Sequence, residues 1–280
     1  MNSDGTKDEK EPTILAVWGP KPGDGTSTVA EAITQILWEK RSQMKSLIGL
    51  MDFNTRTPCM KYRLGLDKYN LLDDLLPFIS AKKLTPEILA NYAVEIYGKE
   101  SLQFVGGIKR PEFKGRYTEV HFNILLDTAQ ELFHKTIIDA GNVLDQTGTV
   151  TALKRADYIL AVMQPNFVSK QCLKYGLSLF PALGIDSNKI GIVYNRYQKH
   201  DEQPQIMTSG LNVEFLGTLE ELGSEKDLIG ATWLLDEKKQ NRVSSYRDSL
   251  SSILVACRML PVVERKKKGK LLPRFFAKEA

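Results

Sequence analysis

Cysteine and histidine are both scarce, with three of each in 280 residues. Cys59, Cys172 and Cys257 stand far apart, and no pair has the spacing of a metal knuckle or a redox motif. His121, His134 and His200 form no cluster either, so zinc-type chemistry is excluded. The thiols read as buried or half-buried groups in a reducing compartment. No apolar run approaches the ~18 residues of a bilayer-spanning helix. The opening MNSDGTKDEKEP lacks the apolar stretch of a secretory signal and is expected to be a disordered arm. Internal repeats and Pro/Gly/Ser linkers are missing too. That implies one domain over 13–260, an arm over 1–12 and a tail over 261–280.

The folded part also lacks an excess of charge of one sign. The net charge is +4, but Glu264–Ala280 alone holds seven Lys/Arg and two Glu, about +5. The body is therefore close to neutral. A domain that grips nucleic acid spreads a basic stripe over its surface, which argues against nucleic acid as a partner.

What the sequence does have is an alternation. Short apolar runs at 13–19, 46–53, 102–107, 135–141, 158–164, 189–195 and 213–219 read as buried strands. Between them, 27–40 places Val29, Ala32, Ile33, Ile36 and Leu37 at helical spacing, and 121–133, 145–155, 167–183 and 240–260 also read as helices. A further helix starts in 70–79. Near-continuous apolar strands separated by helices predict an α/β fold, a mostly parallel sheet with helices on both faces. Ligands of such sheets sit beyond the carboxyl ends of the strands, where Gly19–Thr28, Asp52 and Asp139 fall.

The first strand runs into GPKPGDGTSTVAEAI, a Gly-rich turn entering a helix, which aims backbone amides and a helix dipole at one point. Phosphate loops of this kind read G-x-x-x-x-G-K-[ST], with the lysine reaching the outer phosphates. Here Thr26 fills the lysine slot, Ser27 occupies the Mg²⁺-ligand position, and Lys21 lies five residues upstream. Pro20 and Pro22 remove two backbone donors, and Asp24 adds a carboxylate that lies either near the phosphate path or pointing away from it.

The stretch GPKPGDGTSTVA resembles the deviant Walker loop of the MinD/ParA family of P-loop NTPases, approximately G-K-G-G-x-G-K-[ST]-T. The resemblance extends over nearly the whole folded part and implies that family's α/β fold. It makes Lys21 the lysine that reaches across a homodimer interface to the partner's nucleotide, and it matches Gly23, Gly25, Ser27 and Thr28 to the loop. LMDFNTRTPC resembles the segment after the family's second strand, so that Asp52 takes the first Asp position and Asn54 the water-positioning one. KTIIDAG resembles the Walker B strand, making Asp139 a carboxylate that supports Mg²⁺. By the match to IGIVYNRY, Asn195 and Arg196 flank the adenine. The implied cofactor is ATP or ADP with Mg²⁺, although a loop kept only for the fold, binding no nucleotide, stays open. Small residues in the lysine slot are found in the TadZ/CpaE branch, which positions pilus or secretion machinery. The receiver-like domain usual ahead of that branch is not expected here.

The tail ERKKKGKLLPRFFAKEA interleaves Arg265, Lys266, Lys267, Lys268, Lys270 and Arg274 with Leu271, Leu272, Phe275 and Phe276. Basic residues at an anionic leaflet contribute about 1 kcal/mol each and buried Leu or Phe about 1.5–3. Together they predict a reversible anchor on the inner face of the cell membrane, and the tail is similar to the membrane-targeting end of MinD. A solubilising arm is the alternative. The expected function is thus a cytoplasmic, peripheral positioning or assembly factor for a pilus or secretion apparatus, dimeric, with little or no ATP hydrolysis. An active MinD-like ATPase switch and a ParA-like partition or conjugation protein on non-specific DNA are the alternatives.

Overall fold

The structure, a computed structural model, describes residues 13–41, 47–66, 70–222 and 243–261. Its centre is β1, Ile14–Trp18, every residue of which is buried. Successive side chains of a strand face opposite ways. Ile14, Ala16 and Trp18 accordingly enter one core and Leu15 and Val17 the other. This is why the strand reads as an unbroken apolar run.

Around it the described residues form an eight-stranded sheet in the order β3-β4-β2-β5-β1-β6-β7-β8. The strands are β2 (Ile48–Asp52), β3 (Val94–Ile96), β4 (Lys99–Gly106), β5 (Lys135–Asp139), β6 (Tyr158–Met163), β7 (Ile190–Tyr197) and β8 (Glu214–Glu220). All neighbours are parallel except β3 and β4. The predicted mostly parallel α/β sheet is the observed one.

Helices cover both faces. On one lie α1 (Thr26–Glu39), the short α2 (Met60–Arg63) and, numbered last in chain order, α9 (Ser244–Ala256). On the other lie α3 (Leu72–Ser80), α4 (Pro86–Tyr92), α5 (Glu119–Leu132), α6 (Thr147–Arg155), α7 (Phe167–Leu183) and α8 (Pro204–Thr208). Leu75, Phe122, Leu125, Ala152, Leu173 and Phe180 fill the second core, while Val29, Ile33, Ile36, Tyr246, Leu250 and Ile253 fill the first.

The seven predicted strands are all present, with bounds moved by up to three residues. Four of these elements were not predicted: β3, α2, α4 and the five-residue α8. Strand β3 is short and only half-buried, and it pairs with β4 through a two-residue turn in which Tyr97 and Gly98 have φ of 56° and 67°. Helix α4 begins Thr85-Pro86, with Thr85 accepting from the Ile88 amide at 3.3 Å, a Thr-Pro start signal. Helix α2 is a single turn. Part of the 240–260 helix and the whole basic tail, including Lys266, Lys267, Lys268, Lys270, Leu271, Leu272, Arg274, Phe275 and Phe276, lie outside the described residues. Among the described residues no helix is long and apolar enough to cross a membrane.

Strand register positions the site. Asp52 at the end of β2 stands opposite Asp139 at the end of β5, and Asp139 stands opposite Val17 of β1. The loop 19–25 leaves β1 directly beside them.

Candidate functional site

The loop is shaped by two glycines in the left-handed region, Gly23 at φ 86° and Gly25 at φ 98°. A Cβ on Gly23 would meet nothing within 4 Å, so conformation rather than space requires glycine there. A Cβ on Gly25 would fall 2.1 Å from Asn195 Nδ2, so both conformation and space require it. Gly25 is also the N-terminal cap of α1, which has no side-chain cap and no acidic residue in its first turn. The amides that open α1 and the positive end of its dipole are thus left to the loop mouth, the arrangement that receives anions.

Asp24 settles an alternative the sequence left open. It does not lie on the outer side of the loop; it is fully buried. Its Oδ1 accepts from Lys21 Nζ at 2.8 Å and from Ser169 Oγ, on the first turn of α7, at 2.9 Å. Its backbone oxygen accepts from Asn195 Nδ2 at 2.9 Å, and Gly23 O accepts from Gln164 Nε2 at 3.0 Å. The loop is therefore fastened from the ends of β6 and β7 and from α7. Lys21, matched to a residue that crosses a dimer interface, is paired within its own loop in this single chain.

Thr26 is nearly buried at the start of α1, and its Oγ1 packs so closely over Gly19 that a Cβ there would lie 2.2 Å away. Ser27 Oγ donates to Asp139 Oδ2 at 2.5 Å, and Gly141 N donates to Asp139 Oδ1 at 3.1 Å. Asp52 accepts from the amides of Asn54 and Met60 at 3.0 and 3.3 Å. Burial pushes the Asp52 carboxyl well above the usual carboxylate range, and the neighbouring Asp139 adds to the rise. Burial raises Asp139 as well, against the opposing hydrogen bond from Ser27. A hydroxyl and two close carboxylates form a hard oxygen donor set of the kind that suits Mg²⁺. A divalent cation would relieve the crowding of two buried anions.

Asn54 is occupied elsewhere. Its Nδ2 donates to Thr57 O and Oγ1 at 3.1 and 3.0 Å, and its Oδ1 accepts from the Thr57 amide at 3.1 Å. This closed turn commits both ends of the amide at the position expected to orient water. Thr28 and Arg196 line a cleft with Asn195, Glu220, Glu221 and Tyr246 beyond the loop. Arg196 has φ 59°, an uncommon conformation for a non-glycine, at an irregularity in the pairing of β7 with β8.

The structure thus gathers Gly23, Gly25, Thr26, Ser27, Asp52 and Asp139 at one point, with Thr28 and Arg196 at the adjoining cleft. Asn195 reaches the cleft but spends its amide on the loop. Sequence reasoning missed Ser169, Gln164 and Cys59, whose Sγ lies 3.6 Å from Ser27 Oγ. It also missed the buried Glu31 of α1, which accepts from Arg63 Nε and Nη2 at 3.0 and 2.9 Å and from Tyr97 OH at 2.7 Å, tying α1 to α2 and the β3–β4 turn. A glutamate on the apolar face of α1, four residues after Ser27, was the available signal.

No family model matches the sequence, and no curated protein matches it. Solved structures do match. A ParA family ATPase from Chlorobium tepidum superposes with a TM-score of 0.73 at 18% identity, over 86% of this chain and 98% of its own. The septum site-determining protein MinD of Pyrococcus horikoshii, complexed with Mg-ADP, gives 0.68 at 18% identity over 88% and 98%. A putative plasmid partition protein of Borrelia burgdorferi bound to AMPPNP gives 0.64 at 18% over 88% and 99%. At this identity the likeness is one of fold, and the chain has the fold of the MinD and ParA ATPases.

Proposed function

We propose that this chain is a membrane-associated positioning or assembly factor of the MinD/ParA type, akin to the TadZ/CpaE branch that serves pilus and secretion machines. It takes up ATP or ADP with Mg²⁺ and hydrolyses it little or not at all. The observation that carries this reading is the division within the loop. The amides of α1 and the Ser27–Asp139–Asp52 donor set are in place, while position 26 holds a neutral threonine and Asn54 is closed into its own turn. Ser27 would hold Mg²⁺, with Asp139 and Asp52 behind it, and the ion would supply charge neutralisation of the phosphates. The amides of the loop would bind and orient those phosphates. No carboxylate stands at position 54 to take a proton from water, so binding outlasts chemistry.

Loop-face dimerisation and the tail complete the proposal. The composition of 264–280 supports docking on an anionic inner leaflet by charge and apolar insertion together. A second reading, an active MinD-like ATPase switch cycling on the membrane, draws on Lys21, a cation already carried by the loop. Phosphate release from Mg-ATP, measured with and without anionic vesicles, separates them. We expect release close to the protein-free blank in both conditions. Steady turnover that Asp52→Ala abolishes would establish the ATPase instead. In the same preparation the full chain should co-sediment with anionic vesicles, and a chain lacking 264–280 should not, with unchanged circular dichroism. A full-length chain that ignores such vesicles at low salt would remove the membrane half of the proposal.

A further inference from the structure

Asp24 occupies a position in the loop where its charge has no role in binding an anion, yet it is fully buried. Ser169 holds it from the α7 side, and Ser169 is itself buried and fixed, its amide donating to Asn166 Oδ1 at 2.9 Å. The carboxylate is thus pinned to the scaffold. Lys21, on a flexible stem with 22% of its side chain exposed, supplies the one cation paired with Asp24 among the described residues. The second oxygen, Asp24 Oδ2, is buried with no hydrogen-bond partner among the described residues. If Lys21 leaves, a buried anion is left with a single hydroxyl on one oxygen and nothing on the other, a strongly unfavourable state.

We propose that Asp24 is an autoinhibitory clasp. It withholds Lys21 from a phosphate on the loop, so that the nucleotide must compete with a built-in carboxylate for the loop's own lysine. The inference rests on the nucleotide-binding reading above. It assigns Asp24 and Ser169 the role of positioning residues for Lys21. It also accounts for a loop whose own lysine is paired within the loop.

The test is calorimetric titration of the full-length chain with Mg-AMPPNP, run on the parent, Asp24→Asn, Lys21→Met, the double variant and Thr26→Lys. Asn at 24 keeps an acceptor for Ser169 but needs no cation, so Asp24→Asn should bind about ten- to a hundredfold more tightly than the parent. The double variant should lose that gain, because the freed lysine is its source. A purely structural Asp24 would show no such dependence on Lys21. Where Asp24→Asn does not fold, Ser169→Ala removes the carboxylate's other donor, leaves it more dependent on Lys21, and should weaken binding severalfold. Titration at concentrations where sedimentation shows only monomer assigns the gain to the lysine's own chain, and a gain confined to dimer concentrations assigns it to a second copy. Tighter binding by Thr26→Lys with no change in Asp24→Asn, or in Ser169→Ala where that stands in, would overturn the clasp and leave the nucleotide site standing. So would a gain that survives in the double variant. No binding by any variant would remove the nucleotide reading and the clasp with it.

Discussion

Thr26→Lys puts a cation where the loop pattern wants one, and the structure fixes what should follow. Thr26 is the first residue of α1, 8% exposed, and the helix behind it has neither a side-chain cap nor an acid in its first turn. Without an anion, a lysine there faces the positive end of the helix dipole, at a cost of about 0.3–1 kcal/mol. For a domain of this size that lowers the melting temperature by roughly 1–4 °C. With a triphosphate on the loop the same lysine makes a charge-assisted contact of about 1.5–3 kcal/mol, which is roughly a ten- to a hundredfold tighter Kd. The variant should therefore melt below the parent alone and above it with Mg-ATP, and calorimetry should report the affinity gain. Phosphate release should stay low, because Asn54 remains hydrogen-bonded to Thr57 and supplies no base. Unchanged affinity would mean that the loop is only a connection between β1 and α1. A rise in turnover would mean that charge alone was missing and that the weight placed on Asn54 is wrong.

Two further outcomes follow from the same geometry. Gly25→Ala combines a left-handed φ of 98° with a Cβ 2.1 Å from Asn195 Nδ2. The conformation costs about 1–2 kcal/mol, and loss of the Asn195 bond to Asp24 O about 0.5–1.5 more, so melting should fall by roughly 3–14 °C; a shift near zero would show that the loop relaxes freely. Asp52 and Asp139 both have folded pKa values raised above their unfolded values, so the unfolded chain releases those protons first as pH rises from about 4. That contribution to stability is present at low pH and is lost as pH climbs through the raised range. Asp52→Asn should thus gain on the parent in urea midpoint from pH 4 towards 7 without Mg²⁺, and a gap independent of pH would refute the crowding of the two carboxylates.

The fold was legible because parallel strands buried on both faces leave unbroken apolar runs, and seven of them stand out between helical patterns. What escaped notice was local and half-exposed. Val94–Ile96 is too short to show a period, and the hairpin turn is made by Tyr97-Gly98 rather than a residue pair that advertises it. The Ser27–Asp139–Asp52 constellation was legible for a different reason. Each member sits at the carboxyl end of a strand or in the first turn of the helix that follows one, so placing the strands placed the residues.

Asp24 shows where such reading stops. Its position in the loop was plain, and a carboxylate between two glycines beside a phosphate path reads as a simple hindrance. Whether it hinders depends on which way the side chain turns, and that is decided by Ser169, 145 residues away on the first turn of α7. Nothing in the NFVSK segment marks a serine whose hydroxyl faces a distant loop. The contact arises because β6 lies next to β1 in the sheet, so the helix after β6 starts beside the turn after β1. Once Asp24 turns inward, Lys21 must follow it, since a buried carboxylate without a cation is costly. One long-range hydroxyl thereby changes the meaning of a lysine three residues from the carboxylate it serves.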